Sequence, residues 1–323
     1  MEFEDWEVAP SDRPRGSDYG FDLDRALSSV LALRAEVPDD AFTADALGVE
    51  RAGNAVLIRQ SGIVLTIGYL ITEAERVSLR TNRGQIVDGH VLGYDQSSGF
   101  GCIQALGDLD IPAIRLGDSR HAGVGDDIVV GGAGGRRRSL AGQIVARQEF
   151  AGYWEYLIEE AIFTAPSHPN WGGTALIGSA GELLGIGSLH LQQQTSNGSV
   201  VPLNMMVPIE LLTPIVDDLV AGRAGKVARP WLGVYAQEMQ KSVVVVGIAG
   251  GGPADRAGLR PGDTIRRAGE MDITNLADFY RSMWATGPAG VDIPLTMERE
   301  GDVFELRIAS ADRRSFLKTP RLH

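Results

Sequence analysis

Cysteine and histidine, the side chains best suited to attack as a thiolate or to shuttle protons near neutral pH, are few in this chain. There is one cysteine, Cys102, and there are five histidines: His90, His121, His168, His190 and His323. No histidine stands at metal-ligand spacing from another His, a Cys or a carboxylate, so neither a metal nor another cofactor is expected. Cys102 lies in an apolar strand pattern, where a thiol reads as a small buried side chain rather than a nucleophile. Ser167-His168 sets a hydroxyl beside an imidazole. A dyad is one reading of that pair, and two polar loop residues is the preferred one.

These residues must be held by a chain of 323 residues, a length that suits about two domains. Hydrophobic residues at 44 % and charged residues at 22 % are ordinary for a globular protein. A net charge of -12 repels phosphate backbones. The short basic run Arg136-Arg137-Arg138 reads as a solvated turn, so nucleic-acid binding is not expected. With a single cysteine no intrachain disulfide can form. No signal-peptide pattern opens the sequence, and no apolar run approaches the ~18 residues of a membrane span. A cytoplasmic location is the resulting expectation.

The patterning divides the chain. Residues 1–22 are polar and rich in Asp, Pro and Gly, as in a disordered tail. Short β-like runs follow, among them 54–59, 63–66, 86–92, 127–130, 143–147 and 182–186, broken by Gly, Asp and Asn. Such spacing predicts a sandwich or barrel. A helix is predicted from Pro208, with Ile209, Leu212, Ile215, Val216 and Leu219 on one stripe and Gly222 ending it. Residues 221–229 read as a linker. Beyond it, strands are predicted near 231–235, 242–248, 291–298 and 303–308, with a helix near 275–285.

Acyl transfer by a serine hydrolase needs a serine hydroxyl, a histidine base, an acid that orients the base, and two N–H groups for the oxyanion. The segments around residues 65–71, 93–103 and 169–187 resemble, in order, those that carry this set in the high-temperature-requirement (HtrA) family. Leu65-Thr66 is followed by Ile67-Gly68-Tyr69-Leu70-Ile71, which sets Tyr69 at the histidine position. Gly93-Tyr94-Asp95 leads to Ser98-Gly99-Phe100, which sets Gly99 at the acid position. Pro169-Asn170-Trp171-Gly172-Gly173 sets Trp171 at the serine position and Pro169, which has no N–H, at an oxyanion position. A phenol is a poor base at neutral pH and an indole cannot attack. The resemblance thus implies a trypsin-like frame with its chemistry replaced. Trp171 then either plugs the cleft, the preferred reading, or offers a flat surface to a partner.

The resemblance continues into a second domain. Arg229-Pro230-Trp231-Leu232-Gly233-Val234 is similar to the carboxylate-binding loop of HtrA-type PDZ domains, and 252–259 and 261–265 extend the match. Such a domain captures a chain terminus by strand addition. The implied peptide-binding residues are Trp231, Leu232, Gly233 and Val234, with Tyr280 and Trp284 on the helix that forms the far wall. Periodicity leaves open which side of that helix faces the groove.

The expected fold is mainly β: a trypsin-like double β-barrel over 23–220, a linker over 221–229, a PDZ domain over 230–312 and a tail over 313–323. The function implied is that of an inactive protease homologue that binds peptides or protein C-termini as a scaffold, chaperone-like or regulatory protein. Two alternatives stand beside it: an active serine endopeptidase with unrecognised catalytic residues, and a non-catalytic subunit mixed with an active relative. The resemblance also implies assembly, as a homotrimer or a mixed oligomer, with Trp6 and Tyr19 as candidate contacts.

Overall fold

The computed structural model describes residues 6–194, 198–222 and 228–319. The described residues form two units. The first draws on 1–148, 160–224 and 318–323, the second on 149–159 and 225–317.

The first unit holds two closed six-stranded antiparallel barrels. One is built from β1 (Val30–Glu36), β2 (Glu50–Arg59), β3 (Ile63–Ile67), β4 (Arg76–Arg80), β5 (Ile86–Tyr94) and β6 (Phe100–Ala105), in the order β1-β2-β3-β6-β5-β4. The other is built from β7 (Asp127–Gly131), β8 (Leu140–Gly152), β9 (Tyr156–Ala165), β10 (Ala175–Ile177), β11 (Leu183–Gln194) and β12 (Val200–Pro208), in the order β10-β11-β12-β9-β8-β7. Closure leaves no sheet edge unpaired. Every residue of β3 is buried, so it reads as a continuous apolar run rather than an alternation. Cys102 pairs with Leu65 across β3 and β6 and is fully buried, which pushes its thiol up to about 12 and leaves it inert.

The second unit is a six-stranded sheet of β13 (Val234–Met239), β14 (Ser242–Ile248), β15 (Thr264–Ala268), β16 (Met271–Asp272), β17 (Asp292–Arg299) and β18 (Asp302–Ala309). A helix, Leu276–Ala285, lies against it, capped by the Asn275 side chain accepting from the Asp278 N–H. Leu276, Phe279, Tyr280 and Met283 all point into the core, where they meet Val234, Ala236, Val243, Ile265 and Leu295.

Four expectations change. The N-terminal segment is not a free tail from Trp6 onward: Val8 is buried among Ile128, Val130 and Ile144, and its N–H donates to the Arg137 carbonyl. Burial of one such side chain is worth ~1.5–3 kcal/mol, which offsets part of the cost of ordering the segment. The helix expected from Pro208 is broken. A turn of 3-10 helix (Ile209–Leu211) is followed by a short helix, Val216–Val220. Pro214 lies between them and interrupts the ladder, although Ile209, Leu212, Val216 and Leu219 are buried as one stripe. The strand expected at 231 starts at Val234, and Trp231 makes only an isolated bridge to Ala311. The C-terminal tail is anchored: Phe316 packs on Trp231, and the Lys318 N–H donates to the Glu73 carboxylate at 2.9 Å. Within the expected linker, residues 223–227 lie outside the described residues.

Candidate functional site

The positions that carry base and nucleophile in the HtrA pattern meet in the first unit. Tyr69 follows the end of β3, in a turn of 3-10 helix over Gly68–Leu70. Its hydroxyl donates to the Ser188 carbonyl at 2.9 Å, and the Trp171 indole N–H donates to its oxygen. Burial raises the phenol above its ordinary range, so it keeps its proton. Trp171 is partly buried, with its ring centroid 5.3 Å from that of His190. Gly99, at the acid position, accepts from the Gly68 N–H at 2.6 Å and has a left-handed φ of 82°. Glycine holds that conformation freely, and it brings no carboxylate to the position.

The loop carrying Trp171 is clamped by its backbone. Asn54 donates through Nδ2 to the carbonyls of Asn170 (2.9 Å) and Gly172 (3.0 Å). Gly173 has φ 77°, and a Cβ there would fall 1.7 Å from the Asn54 carbonyl oxygen, so only glycine fits. The Ser167-His168 dyad is not available. His168 is fully buried, its Nδ1 accepts from the Asn170 N–H (3.2 Å), and its Nε2 therefore donates to the Arg138 carbonyl (2.8 Å). Both ring nitrogens are taken, and burial lowers the pKa of the ring, which keeps it neutral. Among the described residues no group of three or more His, Cys, Asp or Glu could hold a metal ion.

The second unit carries the other constellation. The N–H groups of Leu232, Gly233 and Val234 converge on one carboxylate. Gly233 and Val234 donate to Oε1 of Glu155 at 2.7 and 2.9 Å, and Leu232 donates to both oxygens at 3.2 and 3.1 Å. Gly233 makes this possible with φ 79°; a Cβ there would lie 3.1 Å from both Ala249 and the Trp231 ring. Tyr280 closes the far side. Its hydroxyl donates to the Gly152 carbonyl (2.7 Å) and accepts from the Glu155 N–H (3.3 Å). Ala236, on β13, donates to the Tyr153 carbonyl at 2.9 Å.

Of the residues singled out from the sequence, Leu232, Gly233, Val234 and Tyr280 come together around this carboxylate. The side chains of Leu232 and Val234 are buried in the core, so they contribute their N–H groups and not a pocket wall. Trp231 packs on Phe316, and Trp284 stacks on Tyr280 with the Arg229 guanidinium 4.4 Å from its ring centroid. Both support the site from behind. Glu155 escaped sequence reasoning. Its only signal is an acid in an aromatic turn, Tyr153-Trp154-Glu155-Tyr156, between two strand patterns.

A trypsin-like peptidase domain matches residues 53–186, and a PDZ domain matches residues 230–309. The chain is 26% identical over 270 residues to a probable periplasmic DegP-like serine endoprotease of Pseudomonas fulva, covering 80% of this chain and 55% of that one. It is 26% identical over 318 residues to the periplasmic pH-dependent serine endoprotease DegQ of Escherichia coli, covering 88% and 68%. The serine endoprotease DegS of Haemophilus influenzae is 23% identical over 270 residues, covering 82% and 78%. The chain thus spans a little over half the length of the DegP-like relatives it matches. Two solved structures share the fold at a TM-score of 0.52. They are the HtrA-type protease AlgW with a decapeptide (20% identity, 92% of this chain and 98% of that one) and a serine endoprotease from Yersinia pestis (22%, 89% and 95%).

Fold and domain matches together define a mainly β protein that joins a trypsin-like peptidase domain to a PDZ domain. Over most of its length the chain is similar to HtrA/DegP-like serine endoproteases. Among the described residues no helix is long and apolar enough to cross a membrane.

Proposed function

We propose that this chain is a catalytically inactive member of the HtrA/DegP-like proteins that captures peptides or protein C-termini through its PDZ domain. The observation that carries the reading is the convergence of three successive N–H groups, those of Leu232, Gly233 and Val234, on a single carboxylate. A loop that holds a side-chain carboxylate in this way has the donors to hold a terminal one, by charge-assisted hydrogen bonds. The inactive half of the reading is supported by the Tyr69–Trp171 pair, by Gly99 and by Pro169. A phenol that keeps its proton and an indole N–H supply neither base nor nucleophile. A role as scaffold or regulator, alone or assembled with copies or with an active relative, follows from binding without cleavage.

The test has two arms. The purified chain is incubated with unfolded casein and with a fluorophosphonate probe, and no cleavage or labelling is expected. Inhibitor-sensitive cleavage by the pure protein would overturn inactivity. Peptide binding is measured with a free C-terminus and with an amidated one, and amidation is expected to weaken it. Equal affinity for both would remove the loop as the site.

A further inference from the structure

The carboxylate in the loop is the protein's own. We propose that the segment Gly152–Tyr156 is a built-in competitor for the PDZ groove, its Glu155 side chain standing where a ligand's terminal carboxylate would bind, so that external C-termini enter only when this segment withdraws. The inference rests on the peptide-binding reading above and adds its regulation.

Three features make the segment a ligand mimic rather than a chance neighbour. The carboxylate takes all three converging donors, with both oxygens engaged and the residue 5% exposed. Next to it the backbone makes one bond of the kind an added strand would make: the Tyr153 carbonyl accepts from Ala236 of β13, the strand that starts at the loop. Flanking residues complete the seal. Ala151 and Leu157 pack on the core of this unit, Tyr280 grips both Gly152 and Glu155, and Arg281 pairs with Glu149. Glu155 itself has a left-handed φ of 60°, a strained conformation for a residue with a side chain, here offset by the contacts it makes.

A tethered group competes at an effective concentration on the order of millimolar. A free peptide must therefore displace a partner that is always present. Binding to the native chain should be weak, and weakening the tether should strengthen it. The probe is a fluorescein-labelled decapeptide library with C-terminal valine as the free acid, titrated into the whole chain and into Glu155→Ala and Tyr280→Phe. Amide hydrogen exchange at Gly233 and Val234 is read on the same proteins without peptide.

The native chain is expected to protect both amides, and each variant to exchange them at least ~10-fold faster. The library is expected to bind the variants at least ~10-fold more tightly than the native chain. If the alanine variant does not fold, Tyr280→Phe, which keeps the carboxylate and loses the hydroxyl that grips Gly152 and Glu155, carries both readouts alone. Rapid exchange in the native chain, or one library affinity for all proteins, overturns the proposal. Variants that lose protection and still bind no peptide would leave the hairpin as the occupant of the loop and overturn the peptide-binding reading instead.

Discussion

At the scale of single residues, Tyr69 and Trp171 form a fixed pair in the first unit. The Trp171 N–H donates to Tyr69, and Tyr69 donates to the Ser188 carbonyl. Each donor is used and neither group titrates near neutrality. Restoring one residue should therefore restore nothing. In Trp171→Ser the hydroxyl would face a protonated phenol, no acid would stand at Gly99, and Pro169 would still lack an N–H. Fluorophosphonate labelling of Trp171→Ser is expected to stay at background, and clear labelling would mean that another base serves the site. Glu155 behaves in the opposite way. Burial pushes its carboxyl up to about 7, against the opposing pull of the three backbone donors and of Arg313. Tyr235 and Tyr280 also face it, and both hold their protons because burial raises them. A carboxyl raised when seated binds its proton more tightly in the seated state than in the released one. The contribution to the seated state is thus complete below about 4.5, the ordinary value, and is lost as pH rises through about 7. Release of the segment should increase from pH 6 to pH 8. Following the Gly233 and Val234 amide resonances across that range checks it, and a larger open population on the acid side would reverse the assignment.

At the scale of elements, the loop before β13 depends on one backbone conformation. Gly233→Val would force a β-branched residue to φ 79° and bring its Cβ to 3.1 Å from Ala249 and Trp231. The strain is of order 1–3 kcal/mol and would turn the N–H groups away from their common focus. In a Glu155→Ala background, Gly233→Val is expected to cost at least ~10-fold in affinity for a free-acid peptide; no change would place recognition elsewhere. How far such elements were legible in the sequence depends on how local their causes are. β14 and the helix Leu276–Ala285 were predicted within a residue of their ends, because a run of β-branched valines and a Leu276/Phe279/Tyr280/Met283 stripe are local signals. The stripe from Ile209 to Leu219 was also legible, but the periodicity ran through Pro214, where the backbone breaks. Gly233 could be read because the loop around it resembles the carboxylate-binding loop of HtrA-type PDZ domains. Glu155 could not, because 77 residues separate it from the nearest N–H it binds, and nothing in a hairpin turn states where the turn will dock.

At the scale of the whole molecule, the path of the chain ties the two units together. It leaves the first unit for residues 149–159, returns for 160–224, leaves again for 225–317 and ends in the first unit from Lys318. The second unit is therefore completed by a segment from the first half of the sequence. Cutting the connection between Ala224 and Gly225 should not release it. The 149–159 segment would still offer Glu155 to Leu232, Gly233 and Val234, Ala151 and Leu157 to the core, and Gly152 to Tyr280. At the other end Lys318 would still donate to Glu73, which also accepts from Phe42 and Thr43. Together these contacts act as intramolecular links that the cut makes intermolecular, and several held in one geometry give avidity that none has alone. A site for a specific protease inserted at 224/225 allows the experiment. After complete cleavage, the fragments ending at Ala224 and beginning at Gly225 are expected to co-elute in size-exclusion chromatography at micromolar concentration. Adding Glu155→Ala and Tyr280→Phe together should move the pair toward separate elution, because it removes the carboxylate and the hydroxyl that grip the shared segment. Fragments of the otherwise native sequence that separate at once would show that the 149–159 contacts are too weak to hold the second unit, and with them the groove, in the closed state.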